Sequence, residues 1–248
     1  MDRKGLSREV LLDRWLDARE VRNIVGKMTS LYAVRQEASI FAQFWSGRDD
    51  VCLGVNEGFF VGRDAVAEYY AGLDRRIRLE SELMRRALPK QLGGKTEEEL
   101  YGVGSMVYKP FDTQVVEVAR DGKTAKGLWC MRGTHSRVTT AGPVAYWQWG
   151  YLAVDFIREG EQFRIWHMQD LTDIDSPCGQ NWGLPPEKLP EQAVFAPIAA
   201  LHDPEPNVKR CLRRLYTPER DFSPPPELPR PYETFAETFS YGYEEDAT

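Results

Sequence analysis

Two of the three histidines in the sequence, His135 and His167, fall within residues 113–171, where hydrophobic strands follow one another. An imidazole titrates near neutrality, so each can take a proton from a hydroxyl and return it to a leaving group, a role worth roughly 10²–10⁴ in rate. Two of them on one face of a sheet would form an acid/base pair. Tyr32 adds a phenol able to polarise a carbonyl or phenolate, and Glu37 a carboxylate about one and a half helical turns further on. Each has a purely structural alternative: a satisfied core histidine, a packed helix-face tyrosine, an exposed surface carboxylate.

The elements that must position these groups are marked by their turns. Asp121-Gly122, Ala141-Gly142-Pro143 and Glu159-Gly160 separate four strand-like runs, and each carries a glycine able to take a positive φ. Strict alternation places Trp129, Met131, Gly133 and His135 on one face of one strand, and Trp147, Trp149, Tyr151 and Ala153 on one face of the next. On the last strand it aligns Phe163, Ile165, His167 and Gln169. If these faces are the inner ones, Trp129, Met131, Trp147, Trp149, Tyr151 and Ile165 wall a pocket for a planar substrate around two imidazoles. Core packing is the alternative for the same aromatics. Arg132 has the opposite parity and points away.

Ahead of the sheet, Asp17 and Glu20 have capping-box spacing, predicting a helix start there. Val21, Ile24, Val25, Met28, Leu31 and Tyr32 follow at helical spacing, and Ile40, Phe41, Phe44 and Trp45 predict a second helix. Asp64 can cap a third, over residues 65–73. Residues 74–112 read as a helical insertion with a break at Pro89 and Gly93-Gly94 and a capping box at Thr96–Glu99. Composition shifts at Asp175. From there to residue 248 lie proline clusters (Pro185-Pro186, Pro224-Pro225-Pro226), a short helical patch at Val208–Leu215, and aromatic anchors including Trp182, Phe195, Tyr232, Phe239 and Tyr241. This predicts an extension over residues 175–248 that wraps its own core, residues 1–174, or a neighbouring subunit.

The chain has 248 residues, 42% of them hydrophobic, enough for a substantial core. A formal charge of −6 argues against a nucleic-acid surface, which needs a concentrated positive field. The arginine clusters at 75–78, 85–86 and 213–214 read as solvated helix faces or inter-subunit salt bridges. Four cysteines without CxxC spacing, no signal-type apolar run and no membrane-length window predict a reduced, cytoplasmic protein that neither binds nor crosses a membrane. No HxH or HExxH spacing suggests a metal, with His202 set apart, and no GxGxxG or P-loop suggests a nucleotide. Chemistry without metal or cofactor is the expectation. A curved sheet's outer face and an aromatic tail both ask for cover, so a homo-oligomer is expected.

Helices first, a Gly62-Arg-Asp-Ala-Val turn into the third helix, then a long meander through Asp121-Gly-Lys-Thr-Ala-Lys-Gly-Leu-Trp129 to Gly160-Glu-Gln-Phe-Arg-Ile-Trp-His167: this order over residues 10–172 resembles the SnoaL-like branch of the NTF2-like superfamily. The resemblance implies an α+β cone, a curved antiparallel sheet wrapped around N-terminal helices with a deep pocket. It implies scytalone dehydratase-type dehydration, isomerisation, polyketide cyclisation or cofactor-free cleavage of lignin-derived diarylpropanes, and the fold also serves as a noncatalytic binding or assembly module. In the dehydratase pattern a tyrosine followed by an aspartate joins two sheet histidines. Tyr32 matches the tyrosine, and His135 and His167 match the histidines. Ala33 replaces the aspartate, which leaves Glu37 as a substitute carboxylate. The expected function is a cofactor-independent lyase acting on a hydrophobic, hydroxylated aromatic substrate, with an isomerase or cyclase as the alternative.

Overall fold

The computed structural model describes residues 7–139, 142–183, 204–220 and 222–245. Ala141, Pro185-Pro186, Phe195 and His202 lie outside the described residues. The chain runs α1 (Arg8–Ala33), α2 (Ala38–Phe44), β1 (Cys52–Val55), β2 (Gly58–Val61), α3 (Arg63–Ala87), α4 (Pro89–Leu92) and α5 (Glu97–Leu100). It continues through β3 (Val107–Tyr108), β4 (Phe111–Val118), β5 (Thr124–Thr139), β6 (Gly142–Glu159), β7 (Gln162–Pro177) and β8 (Val208–Lys209).

α1 begins ten residues, nearly three turns, earlier than its Asp17–Glu20 spacing predicts. Ser7 is the cap, its hydroxyl accepting from Val10 N at 3.2 Å. Asp17 is instead a mid-helix anchor between Arg14 (2.8 Å) and Arg158 (2.5 Å), and Glu20 accepts from Phe163 N. α3 starts at Gly62, whose φ of 92° makes it the capping position without help from Asp64, and continues unbroken to Ala87. Pro89 then ends it, since a proline disfavours helical geometry in the residue before it. The Thr96–Glu99 capping box forms as expected, with both reciprocal bonds present.

The long strands pair in the order β3-β5-β6-β7-β1-β2-β8, with β4 beside β5. Gly122, Gly142 and Gly160 all have positive φ, as the hairpin signals require. On one face, Val21, Val25 and Met28 of α1, Ile40 and Phe44 of α2, and Val66 and Tyr70 of α3 pack into a single core with Trp129, Leu152, Phe156 and Ile165 of the sheet. This is the α+β cone, and its helix side carries the interior.

Strict alternation fails on β7 for an identifiable reason. Opposite β6, the register runs Asp155↔His167 and then Phe156↔Ile165, so Trp166 is an extra, bulged residue. A one-residue slip reverses every later side chain. Phe163 and Ile165 enter the core, but His167, Gln169, Leu171 and Asp173 turn to the outer face. A second slip, Gly150↔Thr172 followed by Trp149↔Ile174, reverses the parity again and returns Asp175 to the helix side. On β6, Tyr151, Trp149 and Trp147 pair with Cys130, Arg132 and Thr134, and so share the outer face with them.

That outer face is covered by the chain beyond β7. Arg213 pairs with Asp173 at 2.5 Å and lies over Tyr151, Tyr241 packs on Leu128 and Ala153, and Tyr232 bonds Thr124 at 3.1 Å. Around Val208 the chain is extended rather than helical. It forms an edge strand on β2, and Asn207 holds both backbone groups of Val61.

Candidate functional site

Between the helices and the helix-side face lies a cavity of about 700 Å³. The end of α1 supplies Tyr32 and Arg35, the turn into α2 supplies Glu37, and α3 supplies Tyr69, Arg76 and Glu80. Lys109 comes from the β3–β4 turn, His135 from β5, Gln148 from β6 and Asp170 from β7, while Pro204, Pro206 and Lys209 line it from the returning chain. Gly72 makes room for that return, because a Cβ there would meet Pro204 at 2.7 Å.

His135 is 4% exposed. Its Nε2 lies 2.8 Å from Asp175 Oδ1, and its ring stacks on Tyr146 with centroids 5.0 Å apart and planes 4° off parallel. Burial lowers its pKa below the ordinary 6.5, opposed by the Asp175 carboxylate. Burial pushes Asp175 up, but the hydrogen bond and charge of His135 outweigh this and hold the carboxyl below its usual value. The result is a neutral imidazole donating Nε2–H to a carboxylate, with Nδ1 left to exchange a proton.

A second buried pair stands in the same cavity: Lys109 Nζ and Asp170 Oδ2 are 2.5 Å apart, with the ammonium 5.5 Å from the Tyr32 ring centroid. Asp170 Oδ1 has no partner among the described residues. Burial, reinforced by Tyr70 and Asp170, raises the Tyr32 pKa well above its ordinary value, so its phenol keeps its proton. Arg35 binds Glu37, and burial raises the Glu37 carboxyl against that guanidinium.

The structure therefore brings together Tyr32, Glu37 and His135 and leaves His167 out. His167 lies across the sheet in a separate buried network. Its Nδ1 is 3.0 Å from Asp155 Oδ2, Asp155 binds Lys126, and Ser240 and the Tyr241 amide also bind the carboxylate. The expected aromatic wall is likewise dispersed. Trp129, Met131 and Ile165 are buried helix-side residues outside the cavity lining, and Trp147, Trp149 and Tyr151 sit on the outer face. The cavity has a mixed lining, in which the rings of Tyr32, Phe60 and Tyr69 stand among charged groups.

Lys109, Asp175, Arg35 and Glu80 were not read as site residues from the sequence, and Arg76, read with its cluster as a solvated face or an inter-subunit salt bridge, lines the cavity. Asp175 has the parity of Phe163 and Ile165, a signal that two cancelling bulges preserve. Nothing local marks the others. Among the described residues no group of His, Cys, Asp and Glu is placed to hold a metal ion, and no helix is long and apolar enough to cross a membrane.

No protein-family model and no curated protein matches the sequence. Among solved structures the chain is similar to hexachlorocyclohexane dehydrochlorinase LinA-type3 from Novosphingobium barchaimii, at 12% identity and a TM-score of 0.47 over 71% of this chain and 99% of the other. It is similar to an NTF2-like protein with a cystatin-like fold from Novosphingobium aromaticivorans, at 16% identity and a TM-score of 0.42 over 69% and 92%. Aln2 from a Streptomyces species gives 16% identity and a TM-score of 0.40 over 68% and 95%. Such distances say nothing of the reaction. The assignment of an NTF2-like cone rests on the element order and sheet topology.

Proposed function

We propose that this NTF2-like cone houses a cofactor-independent acid/base lyase acting on a hydroxylated aromatic substrate. The observation that carries the reading is the His135–Asp175 pair opening on the same cavity as the Lys109–Asp170 pair and the Tyr32 phenol. One imidazole with a free nitrogen supplies the base, and a phenol beside an ammonium supplies the acid. Apolar rings at Tyr32, Phe60 and Tyr69 offer an aromatic ring a place to pack.

For a phenol bearing a benzylic alcohol, His135 Nδ1 takes the phenolic proton while Tyr32, beside Lys109, gives a proton to the leaving hydroxyl. The C–O bond breaks and water leaves a quinone methide. The Tyr32 phenolate left by the first step takes a second proton, which rearomatises the ring as a phenolate, and the His135 imidazolium then returns its proton to that phenolate. Removal of a carbon-bound proton completes a dehydration. Removal of a neighbouring primary hydroxyl proton breaks the adjacent C–C bond and expels formaldehyde, as a diarylpropane diol would require. Imidazolium formed in the first step is stabilised by Asp175.

The test is turnover of phenolic benzylic diols, including diarylpropane diols, by purified protein without added cofactor, followed by absorbance and mass spectrometry. A stilbene-type chromophore with formaldehyde, or loss of water alone, that disappears in His135→Ala supports the reading. Turnover unchanged in His135→Ala overturns it. Asp170 Oδ1, unpartnered at the cavity wall, favours one second reading, a carboxylate-based isomerase or cyclase. That reading predicts a product of unchanged mass and sensitivity to Asp170→Asn instead.

A further inference from the structure

Where Arg35 and Glu37, in the turn from α1 into α2, come near Arg76 and Glu80 of α3, the cavity lining contains polar atoms with no partner among the described residues. Glu80 is 1% exposed, and neither of its carboxylate oxygens has a partner among the described residues. Beside it in the cavity lining, Glu37 is 2% and Arg35 6% exposed. Their mutual ion pair uses Glu37 Oε1 and Arg35 Nη1, and Glu37 Oε2 and Arg35 Nε have no partner among the described residues. Three acceptors and one donor are thus held out of bulk water in one corner. Buried polar atoms are seldom left so, because each forfeits its bond to water and gains nothing in return.

We infer that this corner is a recognition subsite for a pair of hydroxyl groups on neighbouring carbons or one carbon further apart in a ligand, with Glu80 as its specificity-determining residue. A hydroxyl both donates and accepts, which is what a mixed set of orphan acceptors and an orphan donor requires. Two hydroxyls give their protons to Glu80 and to Glu37 Oε2, and one of their oxygens accepts from Arg35 Nε. A carboxylate or phosphate would face two carboxylates, and an ammonium would face the guanidiniums of Arg35 and Arg76. A neutral diol meets neither repulsion. The rings of Tyr32, Phe60 and Tyr69 in the same lining then receive the body of the ligand. The inference rests on the lyase reading only in naming which end of its substrate is held here, since binding needs no turnover.

The experiment is calorimetric titration of the full chain with 1-phenylethane-1,2-diol and with its dimethyl ether, in which both donors are capped. The diol binds at least about tenfold more tightly to the unmodified protein, because capping leaves the carboxylates unpaired. Glu80→Met brings the two ligands to within about twofold and raises the thermal midpoint of the ligand-free protein, since an apolar side chain replaces an unpartnered buried carboxylate. Glu80→Gln keeps the shape and one acceptor, and lowers the preference in part. Glu68→Gln, exposed on α3 and outside the cavity lining, retains the full preference; the titration needs no turnover, so failure of the proton-transfer reading leaves this result standing. Equal affinities in the unmodified protein, an undiminished preference in Glu80→Met or Glu80→Gln, or tighter binding of 2-phenylethylammonium than of the diol would each overturn the inference.

Discussion

Burial lowers the His135 pKa while Asp175 holds it up, and the balance fixes the pH at which the cavity can accept a proton. A base must be neutral, so kcat/KM is level above that pKa and falls as pH descends through it, at a value below 6.5. Asp175→Asn removes the charge that raises the imidazole. The acid limb of the pH profile therefore moves to still lower pH, while the plateau drops by roughly 10²–10⁴ because imidazolium loses its counter-charge. A pH series of kcat/KM on both proteins checks the two signs together, and an acid limb displaced upward would contradict the assignment of His135 as base. His135 and Tyr32 were legible as candidates because their residue types carry protons and their periodicity places them on inner faces. Lys109, in a turn beside Pro110, and Glu80, in a helix rich in charges, have no local pattern that separates them from solvated neighbours. Only the meeting of α1, α3 and the sheet makes them buried.

β7 shows how elements decide which residues reach the site. Its hydrophobic run and the Gly160 turn were readable, and so was a strand ending in histidine. The bulge at Trp166 was not, because an alternating pattern contains no mark of a skipped pairing until the partner strand is in place. That one residue moves His167 from the cavity to a network with Asp155 and Lys126, both fully buried. Lys126 also lies within 4.9 Å of the ring centroids of Phe235, Phe239 and Tyr241, so its charge is held between a carboxylate and three aromatic faces. Removing one member of such a pair strands the other in a dry interior. Lys126→Met is expected to cost about 3–5 kcal/mol in a urea or guanidinium melt. His167→Gln should lower stability but leave the pH profile of turnover in place. An acid limb that vanished in His167→Gln would return that histidine to the mechanism.

On the scale of the molecule, one sheet separates two tasks: its helix side encloses the cavity, with residues 204–209 closing it, and its outer side receives the chain from Arg213 onward. The composition change near Asp175 announced that chain, and its aromatic content announced that it would pack. Which surface it packs on depends on the strand parity that the bulges set. Beyond Arg230 it contributes Tyr232 and Tyr241, both buried, backbone bonds from Arg120 and Asp121 to Tyr232 and Glu233, and the lid over Lys126 and Asp155. The strands and segments that line the cavity all precede it. Truncation after Arg230 therefore uncovers Leu128, Ala153 and a charged pair without touching the site. Loss of two buried tyrosines and of the cover over that pair amounts to on the order of 5 kcal/mol, a fall of roughly 10–20 °C in the thermal midpoint. At a temperature where circular dichroism shows the truncated chain still folded, its affinity for 1-phenylethane-1,2-diol should match that of the full chain. A truncated chain that keeps its secondary structure but loses the diol would mean that the two faces are coupled, with the outer cover holding the β5–β6–β7 register on which the position of Asp175 depends.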